Sequence, residues 1–115
     1  MNNANRGEIW LVNLEPTLGA EIRKTRPVVV ISSNAISVLP IRLVAPISEW
    51  KNYFATNVWH VKIVPDSMNG LAKTSAVDGL QLRGVDTQRF VHKLGSVSPT
   101  VMNSIVAAIA AVIEY

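Results

Sequence analysis

The chain has 115 residues, 49% hydrophobic and 17% charged, with a formal net charge of +3 and no cysteine. That length fits one domain over residues 1–115 burying roughly two thirds of its unfolded surface, and the composition excludes intrinsic disorder. The missing cysteine removes disulfides, thiolate metal sites and cysteine nucleophiles together.

In chain order, the opening Met1–Arg6 is polar and lacks the apolar core of a signal peptide, so a cytoplasmic location is expected. Glu8 to Leu14 reads as a first strand, ended by Glu15-Pro16 and a loop through Gly19. Pro27 opens a second strand that runs through Ser32. Both are almost continuously apolar, which predicts strands buried on both faces or closing a barrel. A third strand is expected from Ile41 to Ile47, with Pro46 at a strand end or edge because it has no amide hydrogen to donate.

From Val58 to Val64 the residues alternate, placing Trp59, Val61 and Ile63 on one face and His60 and Lys62 on the other. Further short strands are expected at Ser75 to Arg83, with Gly79 marking a bulge, and at Phe90 to Val97. Asp86-Thr87-Gln88-Arg89 reads as a single helical turn between them. The one long helix is C-terminal: Ser98 suits the N-cap, Pro99 the first helical position, and Val97 can staple onto Met102. Its apolar positions Val101, Ile105, Ile109 and Val112 are widened by Val106, Ala110 and Ile113. Such a helix wants cover on two sides, which predicts a homodimer. The run Ile105–Ile113 has nine apolar residues, far short of a membrane span. The fold class is therefore mainly β with a C-terminal α-helix.

Positive charge is concentrated rather than abundant. Arg23, Lys24 and Arg26 lie in the loop Gly19–Pro27, which also carries Glu21 and runs into the apolar Val28–Ile31. With a sequence pI near 9.6, this cluster suits a polyanionic partner. The chain has no Gly-rich phosphate loop, HExxH motif or nucleophile elbow. His60 and His92 sit in separate strands and read as ordinary half-exposed residues, without a carboxylate at ligand spacing. Asp66, Asp78 and Asp86 read as turn residues. No metal site or cofactor is expected.

What remains is Glu21, Arg26 and Ser48. If the second and third strands are antiparallel neighbours, Arg26 and Ser48 meet at one sheet end with Glu21 on the loop above. An arginine holds a phosphate bidentately, a hydroxyl donates to a phosphoryl oxygen, and a carboxylate takes the proton of a ribose 2′-OH. Together they suit RNA cleavage in which the substrate supplies its own nucleophile.

The pieces Arg6–Pro16, Gly19-Ala20-Glu21, Lys24–Ser32, Val44–Ser48 and Gln81–Asp86, followed by a C-terminal helix, resemble in order and spacing the MazF/PemK family of toxins. The resemblance covers nearly the whole chain. It implies an SH3-like barrel that dimerises, a type II toxin-antitoxin endoribonuclease cutting single-stranded RNA at specific sequences without metal, and products with 2′,3′-cyclic phosphate and 5′-OH ends. It also implies a cognate antitoxin as partner, with DNA reached only through that antitoxin. Arg26 matches the family's catalytic arginine, Ser48 a position held by Thr or Ser, and Glu21 an acid proposed as general base in some members.

Some members of the family it resembles use an Arg and an Asp just before the position of Gln81 together with a loop His, places held here by Asp78, Leu80 and Ala20. Arg23, Lys24 and Thr25 are candidate RNA backbone contacts. Gln81 and Arg83 either read or position RNA by hydrogen bonding or are strand-surface polar residues. Trp10 and Trp59 read as core, while Trp50 in a loop either packs under that loop or is the aromatic best placed for RNA or partner contact. Gyrase-poison toxins share this fold but act through a Trp-Gly-Ile ending, where this chain has Ile113-Glu114-Tyr115. A non-catalytic RNA-binding barrel is the third alternative.

Overall fold

A computed structural model describes residues 3–115, so Met1 and Asn2 of the polar opening lie outside the described residues. Seven strands form one antiparallel sheet: β1 (Glu8–Asn13), β2 (Thr25–Val30), β3 (Ile41–Glu49), β4 (His60–Ile63), β5 (Ser75–Asp78), β6 (Arg83–Asp86) and β7 (Phe90–Ser96). Their order is β4-β5-β3-β2-β1-β7, with β6 also paired to β3. The helix α1 (Pro99–Ile113) follows.

The apolar runs of β2 and β3 have a simple cause. Val29, Ile31, Ala45 and Ile47 join Ile9 in a core closed by Met102 and Ile105 of α1. Val28, Val30 and Val44 point the other way and pack with Val12, Leu14, Val85 and Phe90 in a second core. With period-2 side chains and both faces covered, alternation disappears from the sequence. Each fully buried Val or Ile contributes about 1.5–3 kcal/mol.

β3 organises the sheet by changing partners. β6 pairs with Ile41–Val44 and β5 with Ile47–Glu49, on the side away from β2. Pro46 is therefore not at a strand end or edge, as its missing donor suggested; it lies inside β3, opposite Val28. The Leu43 carbonyl accepts from Ile31 N, so residues 43 and 45 face β2 and the Pro46 nitrogen faces the gap between β6 and β5. No ladder bond is lost there. The fold is mainly β with a C-terminal helix, and a strand shared between two sets of partners turns a corner as small barrels require.

Several boundaries shift. β2 begins at Thr25 and β3 extends to Glu49, so Arg26 and Ser48 are strand residues rather than loop residues. The strand expected over Ser75 to Arg83 is broken by a 3-10 turn at Gly79–Gln81, because the Asp78 carboxylate accepts from Leu80 N and Gln81 N and caps it. Gly79 is not a bulge but a close approach: its N donates to Trp59 O at 2.8 Å, and a Cβ would stand 3.3 Å from Ile109 Cγ1. Trp59 is half-buried and precedes β4 rather than joining either core. Trp10 does pack on the second core, edge-on to Phe90. The turn Thr87–Arg89 forms as expected, capped by Asp86, and Asn52–Thr56 adds a 3-10 turn.

Ser98 caps α1 by accepting from Val101 N, with Pro99 at its first turn. The helix turns Val101, Met102, Ile105 and Ile109 to the first core. Val106 and Ile113 on its outer side are 40% and 65% exposed. No helix of the described residues is long and apolar enough to cross a membrane.

Candidate active site

The β2–β3 register pairs Val28 with Pro46; continued two residues outward, it sets Arg26 across from Ser48. Both line one cavity of about 300 Å³, together with Glu49 and Lys73. Arg26 is half-buried and its Nε donates to Arg23 O at 3.2 Å. Its two terminal nitrogens have no hydrogen-bond or ion-pair partner among the described residues, and neither has the Ser48 hydroxyl. A guanidinium anchored at Nε keeps the fork that matches a phosphate's two oxygens.

Glu21 lines a neighbouring cavity of about 260 Å³ with Ile22, Pro46, Gln81 and Arg83. Its Oε1 accepts from Leu18 N, closing a turn of its own loop. The structure thus brings Arg26 and Ser48 together, while the carboxylate in their cavity is Glu49. Glu49 lies 3.8 Å from Lys73 and 3.5 Å from Lys51. Neither Glu49 nor Lys73 was singled out by sequence reasoning. Lys73 reaches the site only because Glu49 pairs with Ser75 across β3 and β5, a contact without local signal.

Arg23, Lys24 and Thr25 are exposed. Lys24 takes a left-handed φ of 72°, with its N donating to Glu15 Oε1 at 2.8 Å and its O accepting from Leu14 N at 3.0 Å. Gln81 is not a strand-surface residue: it lies in the 3-10 turn, where its Oε1 accepts from Ile22 N at 2.6 Å and its Nε2 donates to Asp78 Oδ2 at 3.2 Å. Arg83 donates to Leu14 O at 3.3 Å. Trp50 packs edge-on to Phe54, with Lys62 Nζ 5.3 Å from its ring centroid. Its loop position left stacking on a base open, but part of the ring is already covered.

Every ion pair among the described residues is made by a lysine or a histidine. The arginines that bond do so to backbone carbonyls: Arg6 to Ile31, Arg42 to Ala4, Leu39 and Ile41, Arg89 to Asn13 and Glu15. Carbonyl bonding orients a guanidinium without neutralising it, so the surface stays cationic.

Asp66 and Asp86 also cap turns, accepting from Met68 N and Asn69 N and from Gln88 N. His92 is exposed rather than half-exposed, and His60 is half-buried as a residue while its side chain is only 8% accessible, stacked on Phe54 at 3.9 Å. Burial pushes its pKa below the ordinary value, and the Asp78 carboxylate opposes that only in part. Glu8 is held below the usual carboxylate range. Burial alone would raise it, but hydrogen bonds from Asn5 N and Trp10 Nε1 and the Lys93 ammonium outweigh burial.

An arginine and a serine thus stand opposed on two strands of a small β domain, next to a cationic loop. The chain belongs to the PemK-like, MazF-like toxin family of type II toxin-antitoxin systems, which matches residues 5–113. It is 32% identical to the endoribonuclease PemK of Escherichia coli over 116 residues, 97% of this chain and 84% of that protein. Among solved structures, MazF of Deinococcus radiodurans superposes with a TM-score of 0.83 at 17% identity, covering 100% of both chains. A mycobacterial endoribonuclease in complex with its cognate antitoxin gives 0.77 at 20% identity, covering 96% of this chain and 95% of that one. At such identities these structures speak for the fold.

Proposed function

We propose that the protein is the toxin of a type II toxin-antitoxin pair and a metal-independent endoribonuclease acting on single-stranded RNA. The observation that carries this reading is the opposition of Arg26 and Ser48 in one cavity, with the arginine's terminal nitrogens free. Arg26 binds the scissile phosphate and stabilises its developing charge, and Ser48 donates to a non-bridging oxygen. The ribose 2′-OH attacks phosphorus and the 5′-oxygen leaves, giving a 2′,3′-cyclic phosphate and a 5′-OH. We assign proton acceptance from the 2′-OH to Glu21, because its Oε2 is unpaired whereas Glu49 already serves two lysines. Arg23, Lys24 and Thr25 bind flanking phosphates.

The family and the relative that binds its antitoxin support a cognate antitoxin as partner, with DNA reached through it. The uncovered apolar side of α1 supports a homodimer, to be read as a dimer mass in sedimentation equilibrium. The function is tested by incubating the purified protein with a long RNA in EDTA and mapping the cut ends. Discrete cuts ending in cyclic phosphate are expected, abolished in Arg26→Ala and slowed roughly 10²-fold in Ser48→Ala. RNA left intact, bound or not, overturns the reading; gyrase-dependent DNA breaks without RNA cutting would replace it with the poison.

A further inference from the structure

Behind the loop that carries Glu21 and Arg23 runs a line of polar contacts that the cleavage chemistry does not use. Ile22 N donates to Gln81 Oε1 at 2.6 Å, and Gln81 Nε2 donates to Asp78 Oδ2 at 3.2 Å. The same Asp78 oxygen lies 3.7 Å from His60 Nε2. Asn57 Nδ2 stands 3.1 Å from His60 Nδ1, so with the amide donating, the ring hydrogen is on Nε2, toward Asp78. Asp78 is 5% exposed and its other oxygen holds the turn, accepting from Leu80 N at 3.0 Å and Gln81 N at 3.3 Å.

Gln81 thus joins a loop amide to a buried carboxylate fixed in the sheet. A glutamine has an acceptor oxygen and a donor nitrogen at one end, and this bridge uses both in the direction each requires. Glutamate in its place would set a carboxylate against Asp78, and a shorter side chain would not span the gap.

We propose that Gln81 is a positioning residue for RNA cleavage: through Asp78 it fixes where the Glu21–Arg23 segment sits over the site, rather than reading a base. The proposal rests on the ribonuclease reading and adds to it how the loop is held. Because a bond to the backbone of Ile22 sets position and not affinity, its loss lowers turnover more than substrate binding.

Two measurements test this, one independent of activity. Amide exchange of the free protein follows Ile22 N–H, and kcat and KM are taken on a defined RNA. Gln81→Met, close in shape but without polar atoms, is expected to speed Ile22 exchange about tenfold, the scale of one lost hydrogen bond, and to lower kcat with KM little changed. Gln81→Glu is expected to be worse, since it sets a second carboxylate against Asp78. Unchanged Ile22 exchange in Gln81→Met overturns the tether. A raised KM or altered cleavage sequence with kcat kept overturns the positioning role and returns Gln81 to RNA reading. If the unmodified protein cuts no RNA, the ribonuclease reading fails while the exchange result still judges the tether.

Discussion

At the scale of single residues, two half-buried titrating groups give the molecule an acid sensitivity that can be assigned. His60 has a lowered pKa in the fold, so the unfolded chain binds a proton more readily. The stability associated with neutral His60 is complete above the ordinary histidine pKa and is lost as pH falls from there through the lowered folded value. Glu8 acts with the same sign in a lower window: its stabilising bonds to Asn5, Trp10 and Lys93 hold above the ordinary carboxylate pKa and go as pH falls through its folded value. Urea midpoints measured from pH 8 downward should fall in two steps, the first missing in His60→Gln and the second in Glu8→Gln. A single step that both variants leave in place would refute the assignment.

Among elements, the sequence was most legible where a local rule governs. The helix cap at Ser98, the Asp86 turn and the doubly apolar β2 follow from neighbouring residues alone. The candidate pair Arg26 and Ser48 was legible through strand order and family resemblance. Pro46 misled because its cost depends on which strand faces its nitrogen, and β3 happens to change partners at that point. Glu49, Lys73 and the inward turn of His60 escaped because they depend on pairings between distant segments. Gly95, inside β7, is a further long-range case. A Cβ there would overlap Met68 O and stand 2.6 Å from Asn69 C, both backbone atoms that cannot swing aside. Gly95→Ala is expected to cost about 3 kcal/mol in chemical denaturation, at the high end of overpacking; a cost within experimental error would show that the 68–70 segment yields.

For the whole molecule, the arginine pattern matters more than the net charge of +3. Arginines bonded to carbonyls, and Arg23 and Arg26 with no carboxylate partner, leave counterions to be released when a phosphate chain docks. If Arg23, Lys24 and Arg26 each neutralise one phosphate, log affinity for single-stranded RNA should fall with log salt at a slope of about −2. Removing Arg23 and Lys24 together should flatten that slope to about −0.7, measured by fluorescence anisotropy on an uncleavable 2′-deoxy analogue. An unchanged slope would place the phosphate track elsewhere.

The opposition of Arg26 and Ser48 also sets what lengths the chain can tolerate. The two residues meet by counting outward from Val28 and Pro46, so the segment 33–40, beyond the last β2–β3 bonds of Ile31 and Ser32 to Leu43, can grow or shrink without moving either. One residue added between 26 and 30, or between 44 and 48, would instead turn the arginine or the serine to the other side of the sheet. The site is thus indifferent to the length of the loop that joins its strands and intolerant of any change in the strands that carry it.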